Sequence, residues 1–180
     1  MSDTSLGSFD RRGFLRAGLI AAVSAVAARE LFAQQGSGAR GRAPGAQQAL
    51  PVMTVYKSAS CGCCKLWVEH ARTSGFTVRE VNTDDLNSVK REMGIPARLA
   101  SCHTVVVGSY VVEGHVPAED VKKLLRDRPA GVRGLAVAGM PIGSPGMEQG
   151  PVSGYERYDV MSFTAAGAMS VFATHGPPRR

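Results

Sequence analysis

The sequence predicts an α/β protein built on a mixed sheet flanked by helices. Three observations carry that class. Strand-like and helix-like patterns alternate from residue 52 to residue 128, a tight glycine turn joins two consecutive β-rich runs, and Gly or Pro ends most periodic stretches.

Taken in order, Val52-Met53-Thr54-Val55-Tyr56 is a short β-rich run between Pro51 and Ser58 and reads as a strand. Cys64 to Arg72 has helix-forming composition, with Leu66, Trp67 and Ala71 near helical spacing, and stops at Gly75. Phe76 to Val81 alternates as a second strand. Asp84 or Asp85 caps a helix that runs to Met93 and is ended by Gly94 and Pro96. Thr104 to Val107 and Tyr110 to Val112 flank Gly108-Ser109 as a hairpin. Pro117 to Asp120 then opens a helix through Leu124 and Leu125 that halts near Pro129. Helices between the first strands imply parallel crossovers, whereas the Gly108 turn implies an antiparallel pair. Residues 51–129 thus form the main domain. In residues 130–176, Gly134 to Gly154 is dense in Gly and Pro and is expected to lack regular structure. Tyr158 to Phe163 and Ala168 to Phe172 flank Thr164 to Gly167 as a second hairpin, expected to pack on the same domain.

The start of the chain has another character. Asp10-Arg11-Arg12-Gly13-Phe14-Leu15-Arg16 precedes the uncharged run Ala17 to Ala28, and Leu31-Phe32-Ala33 offers a small-residue exit. That is the pattern of an export signal, with Arg-Arg-x-Phe-Leu-Arg resembling a twin-arginine core. The uncharged run falls short of the roughly 20 apolar residues that span a bilayer, so no membrane insertion is expected after cleavage. Residues 1–33 are assigned to the signal and residues 34–50, rich in Gly, Ala, Gln and Arg, to a flexible linker. The destination is the periplasm. The net charge of +6 falls to about +5 once four Arg and three acids of the signal are removed. These charges are scattered and the chain has one Trp, which argues against a nucleic-acid partner.

Cysteine placement is the sharpest clue to chemistry. Of four cysteines, Cys61, Cys63 and Cys64 fall within four residues, and Cys102 stands apart. A stapling framework would spread its cysteines to close long loops. Clustering instead concentrates sulfur at one point, as metal and redox sites do. Cys61-Gly62-Cys63-Cys64 lies where a strand passes into a helix, and helix N-terminal amides stabilise a thiolate. Soft thiolates select Cu(I), zinc or iron–sulfur clusters. Zinc favours ligand pairs spaced C-x₂₋₄-C in a closed tetrahedron. The tighter Cys-x-Cys-Cys spacing suits Cu(I), of which more than one ion can be bridged by sulfur. Met140 and Met147 in the Gly/Pro-rich loop add thioethers, good ligands for Cu(I) and poor ones for zinc.

The element order resembles the thioredoxin and glutaredoxin fold, a four-stranded mixed sheet with helices on both faces. Cys61 and Cys64 match the Cys-x-x-Cys pair of that fold residue for residue. Two departures set the chain apart: Cys63 is a third thiol, and Ser101-Cys102-His103-Thr104 stands where those proteins carry a cis-proline facing the pair. The resemblance implies that Cys102 faces Cys61 and Cys64. It also places His115 beside the site, as a ligand or a support for one.

Five stretches in order are similar to the CopG-like family of small exported metal-binding proteins, long catalogued as a domain of unknown function. They are Tyr56-Lys57-Ser58 with Cys61-Gly62-Cys63-Cys64-Lys65 and Trp67; Leu99 to Thr104; Glu113 to Ala118; Gly139-Met140-Pro141 through Gly146-Met147-Glu148; and Tyr158-Asp159-Val160. The resemblance spans residues 52–175. It implies copper handling in the periplasm, with copper ions and other periplasmic copper-resistance proteins as partners.

The expected metal ligands are therefore Cys61, Cys63, Cys64, Cys102, Met140, Met147 and His115. Strand alternation is expected to point His103 away from Cys102. His70 is expected to face solvent, Met161 and Met169 to be core, and Trp67 to pack beside the site. The competing reading is a thiol–disulfide or copper-redox oxidoreductase, with Cys61 as nucleophile and Cys64 as resolving thiol. Replacing Arg11 and Arg12 with Lys is expected to hold the precursor in the cytoplasm. Cell fractionation that finds mature protein at the parental periplasmic level would overturn the export assignment.

Overall fold

The computed structural model describes residues 49–178. The expected signal, residues 1–33, and most of the linker lie outside the described residues. The first strand, β1 (Met53–Lys57), buries every second side chain. Helix α1 (Gly62–Thr73) follows, with Cys61 as its N-cap. It carries the chain across to β2 (Val78–Asn82), which pairs with β1 in parallel. Helix α2 (Leu86–Glu92) is capped by Asp85, whose carboxylate accepts the Ser88 amide at 3.0 Å. A short 3-10 turn, Ala97–Leu99, leads to β3 (His103–Val107), which the Gly108-Ser109 turn folds back as β4 (Tyr110–Glu113). Helix α3 (Ala118–Asp127) completes the main domain.

Helix α3 begins at Pro117, which has no side chain to cap it. His70 supplies the cap instead: its Nε2 accepts the Ala118 amide at 3.1 Å. The expectation of a solvent-facing His70 is corrected, because the free amide at the start of α3 needs an acceptor.

Among the described residues the sheet has seven strands in the order β2-β1-β3-β4, followed by β5 (Val132–Ala136), β6 (Tyr158–Thr164) and β7 (Met169–His175). The α/β class and the mixture of parallel and antiparallel pairs hold, but the four-strand expectation does not. Strand β5 runs across the start of the stretch expected to lack regular structure, and Arg133-Gly134 interrupts its apolar pattern. It pairs with β4 in parallel and accepts the β6–β7 hairpin antiparallel on its other edge. Gly134 has a packing reason. A Cβ there would come within 2.7 Å of the Phe163 ring and would also strike the backbone of Val111, so only glycine lets these neighbours close.

Both faces of the sheet are covered. Met53, Val55, Val105, Val112, Leu135 and Val160 pack with Trp67, Val68, Val121 and Leu124 in one core. On the other face Val111, Ala136 and Phe163 pack with Ile95 and Leu99. Neighbours such as Val111 and Val112 thus go to opposite cores, which explains why these strands read as continuous apolar runs. Met161 and Met169, expected in the core, are only partly buried and pack against the edge of this second core.

Phe163 is fully buried and joins the hairpin to that second core. Phe163→Ala is therefore expected to lower the unfolding free energy by about 3–5 kcal/mol in urea titration. A loss below about 1 kcal/mol would mean the hairpin is not part of the cooperative unit.

Candidate metal centre

The site is built on the first turn of α1. The chain leaves β1 through a turn in which the Cys61 amide donates to the Ser58 carbonyl at 3.2 Å. Cys61 then caps the helix, its sulfur accepting the Cys64 amide at 3.3 Å. Cys61 and Cys64 are joined as a disulfide, with Cα atoms 5.4 Å apart. Two of the expected ligands, Cys61 and Cys64, are thus bonded to each other in this state. Cys63 and Cys102 are the free cysteines, because the i, i+3 spacing of one helical turn brings Cys61 against Cys64. Two electrons and two protons return that pair to thiols.

Cys63 is the hub of the sulfur cluster. Its Sγ lies 3.5 Å from that of Cys61, 4.0 Å from that of Cys102 and 4.0 Å from the Met140 sulfur. Met140 is half exposed and covers the cluster from the solvent side. The loop that carries it is pinned to the helix. At Gly146, φ is +82°, and a Cβ would lie 2.7 Å from the Trp67 amide nitrogen and 2.8 Å from the Cys63 carbonyl oxygen. Only glycine allows that approach. Met147 contributes backbone: its amide donates to Ser144 O and its carbonyl accepts from Gly143. No contact of its sulfur with the thiols is seen, so of the two loop methionines the structure brings only Met140 to the cluster.

Cys102 reaches the cluster from the start of β3. Its Sγ is 2.9 Å from His115 Nε2 and 3.2 Å from His103 Nδ1. His115 Nδ1 lies 2.8 Å from the Pro145 carbonyl, which can only accept. Nδ1 therefore carries the proton, and Nε2 turns a lone pair towards Cys102. Burial lowers the His115 pKa, opposed by the Pro145 hydrogen bond and by Glu148. Burial, then the neighbouring His115 and Lys90, holds His103 well below the usual imidazole value. Burial, reinforced by the adjacent Cys63, pushes the Cys102 thiol up to about 12, so it holds its proton at neutral pH.

The expectation that His103 points away from Cys102 is corrected, because Cys102 lies just before β3 and outside its strand alternation. The His103 ring is fully buried, tilted against Trp67 at a centroid distance of 4.8 Å and edge-on to His115 at 5.0 Å. Its Nε2 has no hydrogen-bond partner. Trp67 is completely buried beside the site, as expected, and donates from Nε1 to the Val116 carbonyl at 3.0 Å. Adjacency to Cys102 was the one sequence signal for His103.

Two donor groups result among the described residues. The sulfurs of Cys61, Cys63, Cys64 and Cys102 lie within 4.8 Å of one another, as do the donors of Cys102, His103 and His115. Cys102 is common to both. Thiolate, thioether and imidazole donors suit a soft metal ion and offer no carboxylate for a hard one.

A family model described as "Protein of unknown function, DUF411" matches residues 99–147, the segment from the 3-10 turn to the methionine loop. No curated protein matches the chain. Two solved structures do, named "Copper resistance protein copG- Form 1" and "Form 2", with TM-scores of 0.65 and 0.66. Each is 42% identical to this chain, over 71% of it and 99% of the solved chain. At that identity and coverage, with the five sequence stretches in order, the chain belongs to the CopG-like family.

Proposed function

We propose that the chain is a periplasmic copper-binding protein that takes up Cu(I) at the reduced cysteine cluster and serves copper resistance or homeostasis. The observation that carries this is the position of Cys63, with three further sulfurs within 4.0 Å of its own. Sulfurs this close can converge on one soft monovalent ion once the disulfide is reduced, and zinc would leave the Met140 thioether unused. The ligands proposed are Cys61, Cys63, Cys64 and Cys102, with Met140 as a cover and the His115 Nε2 lone pair beside Cys102. Met147 serves the loop that carries Met140. The names of the two similar structures support the copper assignment. The first four strands and three helices, in the order β2-β1-β3-β4, support a thioredoxin-like core under the site. Export by the twin-arginine route puts it where copper enters the cell envelope, and copper-resistance proteins of that compartment are the partners.

The Cys61–Cys64 disulfide favours a second reading, a thiol–disulfide or copper-redox oxidoreductase. It sits at a helix N-terminus, where the helix dipole stabilises the attacking thiolate of the reduced form. The two readings differ in what Cys102 is for. A carrier needs it as a ligand, whereas disulfide exchange through Cys61 and Cys64 proceeds without it.

In reduced protein under anaerobic conditions, Cu(I) is expected to displace Zn²⁺ and Zn²⁺ to fail to displace Cu(I). Cys102→Ser is expected to weaken Cu(I) binding by at least about tenfold, or about 1.4 kcal/mol, while the fold survives. Competition with a Cu(I) chelator measures both. Parental affinity in Cys102→Ser, together with loss of disulfide reduction in Cys61→Ser, would favour the oxidoreductase.

The high Cys102 pKa sets a pH dependence. Below about 12 the thiol is protonated and Cu(I) must displace that proton. Affinity is expected to rise with pH, by about tenfold per pH unit for each proton released. A flat profile between about pH 6 and about pH 8 would remove the Cys102 thiolate from the ligand set.

A further inference from the structure

Opposite the sulfur cluster, on the other face of the sheet, lies a polar group that copper chemistry does not use directly. Glu113 at the end of β4 is fully buried. One carboxylate oxygen accepts from Lys90 Nζ and from the Ser101 backbone amide, both at 2.6 Å. The other accepts from Thr104 Oγ1 at 2.6 Å, and Lys90 also donates to Thr104 Oγ1 at 3.0 Å. A buried ion pair needs these extra hydrogen bonds. Two of the partners lie in regular elements: Lys90 on α2, and Thr104 directly across the β3–β4 ladder from Glu113. Ser101 is the exception. It belongs to the irregular Ala100–Cys102 segment, which has no ladder to hold it.

Resting on the copper-site reading, we infer that Glu113 is a positioning residue for Cys102: its carboxylate holds the Ser101 amide, and through it the thiol one residue on. The same serine ties in the second half of the site. Its hydroxyl donates to the Gly139 carbonyl, and the Gly139 amide donates to the Ala100 carbonyl at 3.5 Å. Met140 follows Gly139 directly. The backbone of Glu113 reinforces the link, because its carbonyl accepts the Val137 amide at 3.0 Å. One buried acid thus places both long-range sulfur donors, Cys102 and Met140, against Cys63. Removing its acceptor oxygen frees the Ser101 segment without touching any ligand.

The test separates the acceptor from the charge. In the pair Lys90→Met with Glu113→Gln, both charges go but the amide oxygen still accepts from Ser101, and the amide nitrogen donates to Thr104. In the pair Lys90→Met with Glu113→Leu, both charges and the acceptor go. Replacing a buried ion pair by apolar residues is compatible with a stable fold. Glu113→Asp is the reserve, since it keeps the charge opposite Lys90 but ends one methylene short of Ser101. Two readouts are taken: Cu(I) affinity of the reduced protein, and iodoacetamide alkylation of each cysteine in metal-free protein, resolved by peptide mass.

The Gln pair is expected to bind Cu(I) within about threefold of the parent, and the Leu pair and Glu113→Asp to lose at least about tenfold. Cys102 alkylation is expected to rise at least about fivefold in those two variants, with Cys63 unchanged, because the opening is local. Equal affinity and equal Cys102 alkylation in the Gln and Leu pairs would overturn the inference, leaving Glu113 a stabilising residue only. Equal losses in both pairs would also overturn it, since the charge and not the acceptor would then matter. If the parent itself fails to bind Cu(I), the copper reading falls, and the alkylation pattern alone still decides whether Glu113 places Cys102.

Discussion

A carboxylate sealed inside a protein must be met by donors on every open side, and Glu113 imposes that demand at the centre of this fold. It lies where β3, β4 and β5 run side by side, opposite Thr104 on one neighbour and Ala136 on the other. Satisfying it requires α2 to dock so that Lys90 reaches the sheet, requires Thr104 to face the same way, and draws in the Ser101 amide. An unpaired charge there would cost about 3–5 kcal/mol, as much as truncating a large buried apolar side chain. The position of α2, the start of β3 and the segment that carries Cys102 are therefore not independent of one another.

On the opposite face the donors arrive from four parts of the chain. The first turn of α1 brings Cys61, Cys63 and Cys64; the approach to β3 brings Cys102, with His103 at the strand's first position. The turn after β4 brings His115, and the loop after β5 brings Met140. Each is anchored by contacts that do not involve sulfur. Gly146 lies against the α1 backbone, Pro145 holds the His115 ring, and Trp67 packs against His103 while tied to Val116. These contacts hold the donors near one another in the metal-free protein, which would lower the ordering required on binding.

The disulfide sets the number of thiols the cluster can offer. A disulfide sulfur is neutral and a far weaker donor than a thiolate, so four thiolates could be offered only after two electrons have cleaved the Cys61–Cys64 bond. Cys63 and Cys102 remain as thiols in both states. The redox state of the Cys61–Cys64 pair therefore decides how many thiols the site holds, which bears on both readings of its function.

Local pattern was enough for much of this. Apolar runs, glycine stops and Asp85 marked β1 to β4 and the three helices, because those signals act within a few residues. The Cys-x-Cys-Cys spacing announced soft-metal or redox chemistry, and the five stretches around it placed the chain in its family. Tertiary structure alone decided the rest. Strand β5 was invisible because its Gly134 answers to Phe163 and Val111, residues far along the chain. His70 became a helix cap because α3 begins at a proline without a capping side chain. His103 turned inward because Cys102 precedes the strand whose alternation would have separated them. Of two similar methionines in one loop, only Met140 meets Cys63, and Glu113 showed no chemistry until Lys90, Thr104 and Ser101 were folded around it. Spacing along the chain reports which groups are close when a helix turn or a hairpin makes them so. Which distant groups share a buried space depends on how the whole sheet packs.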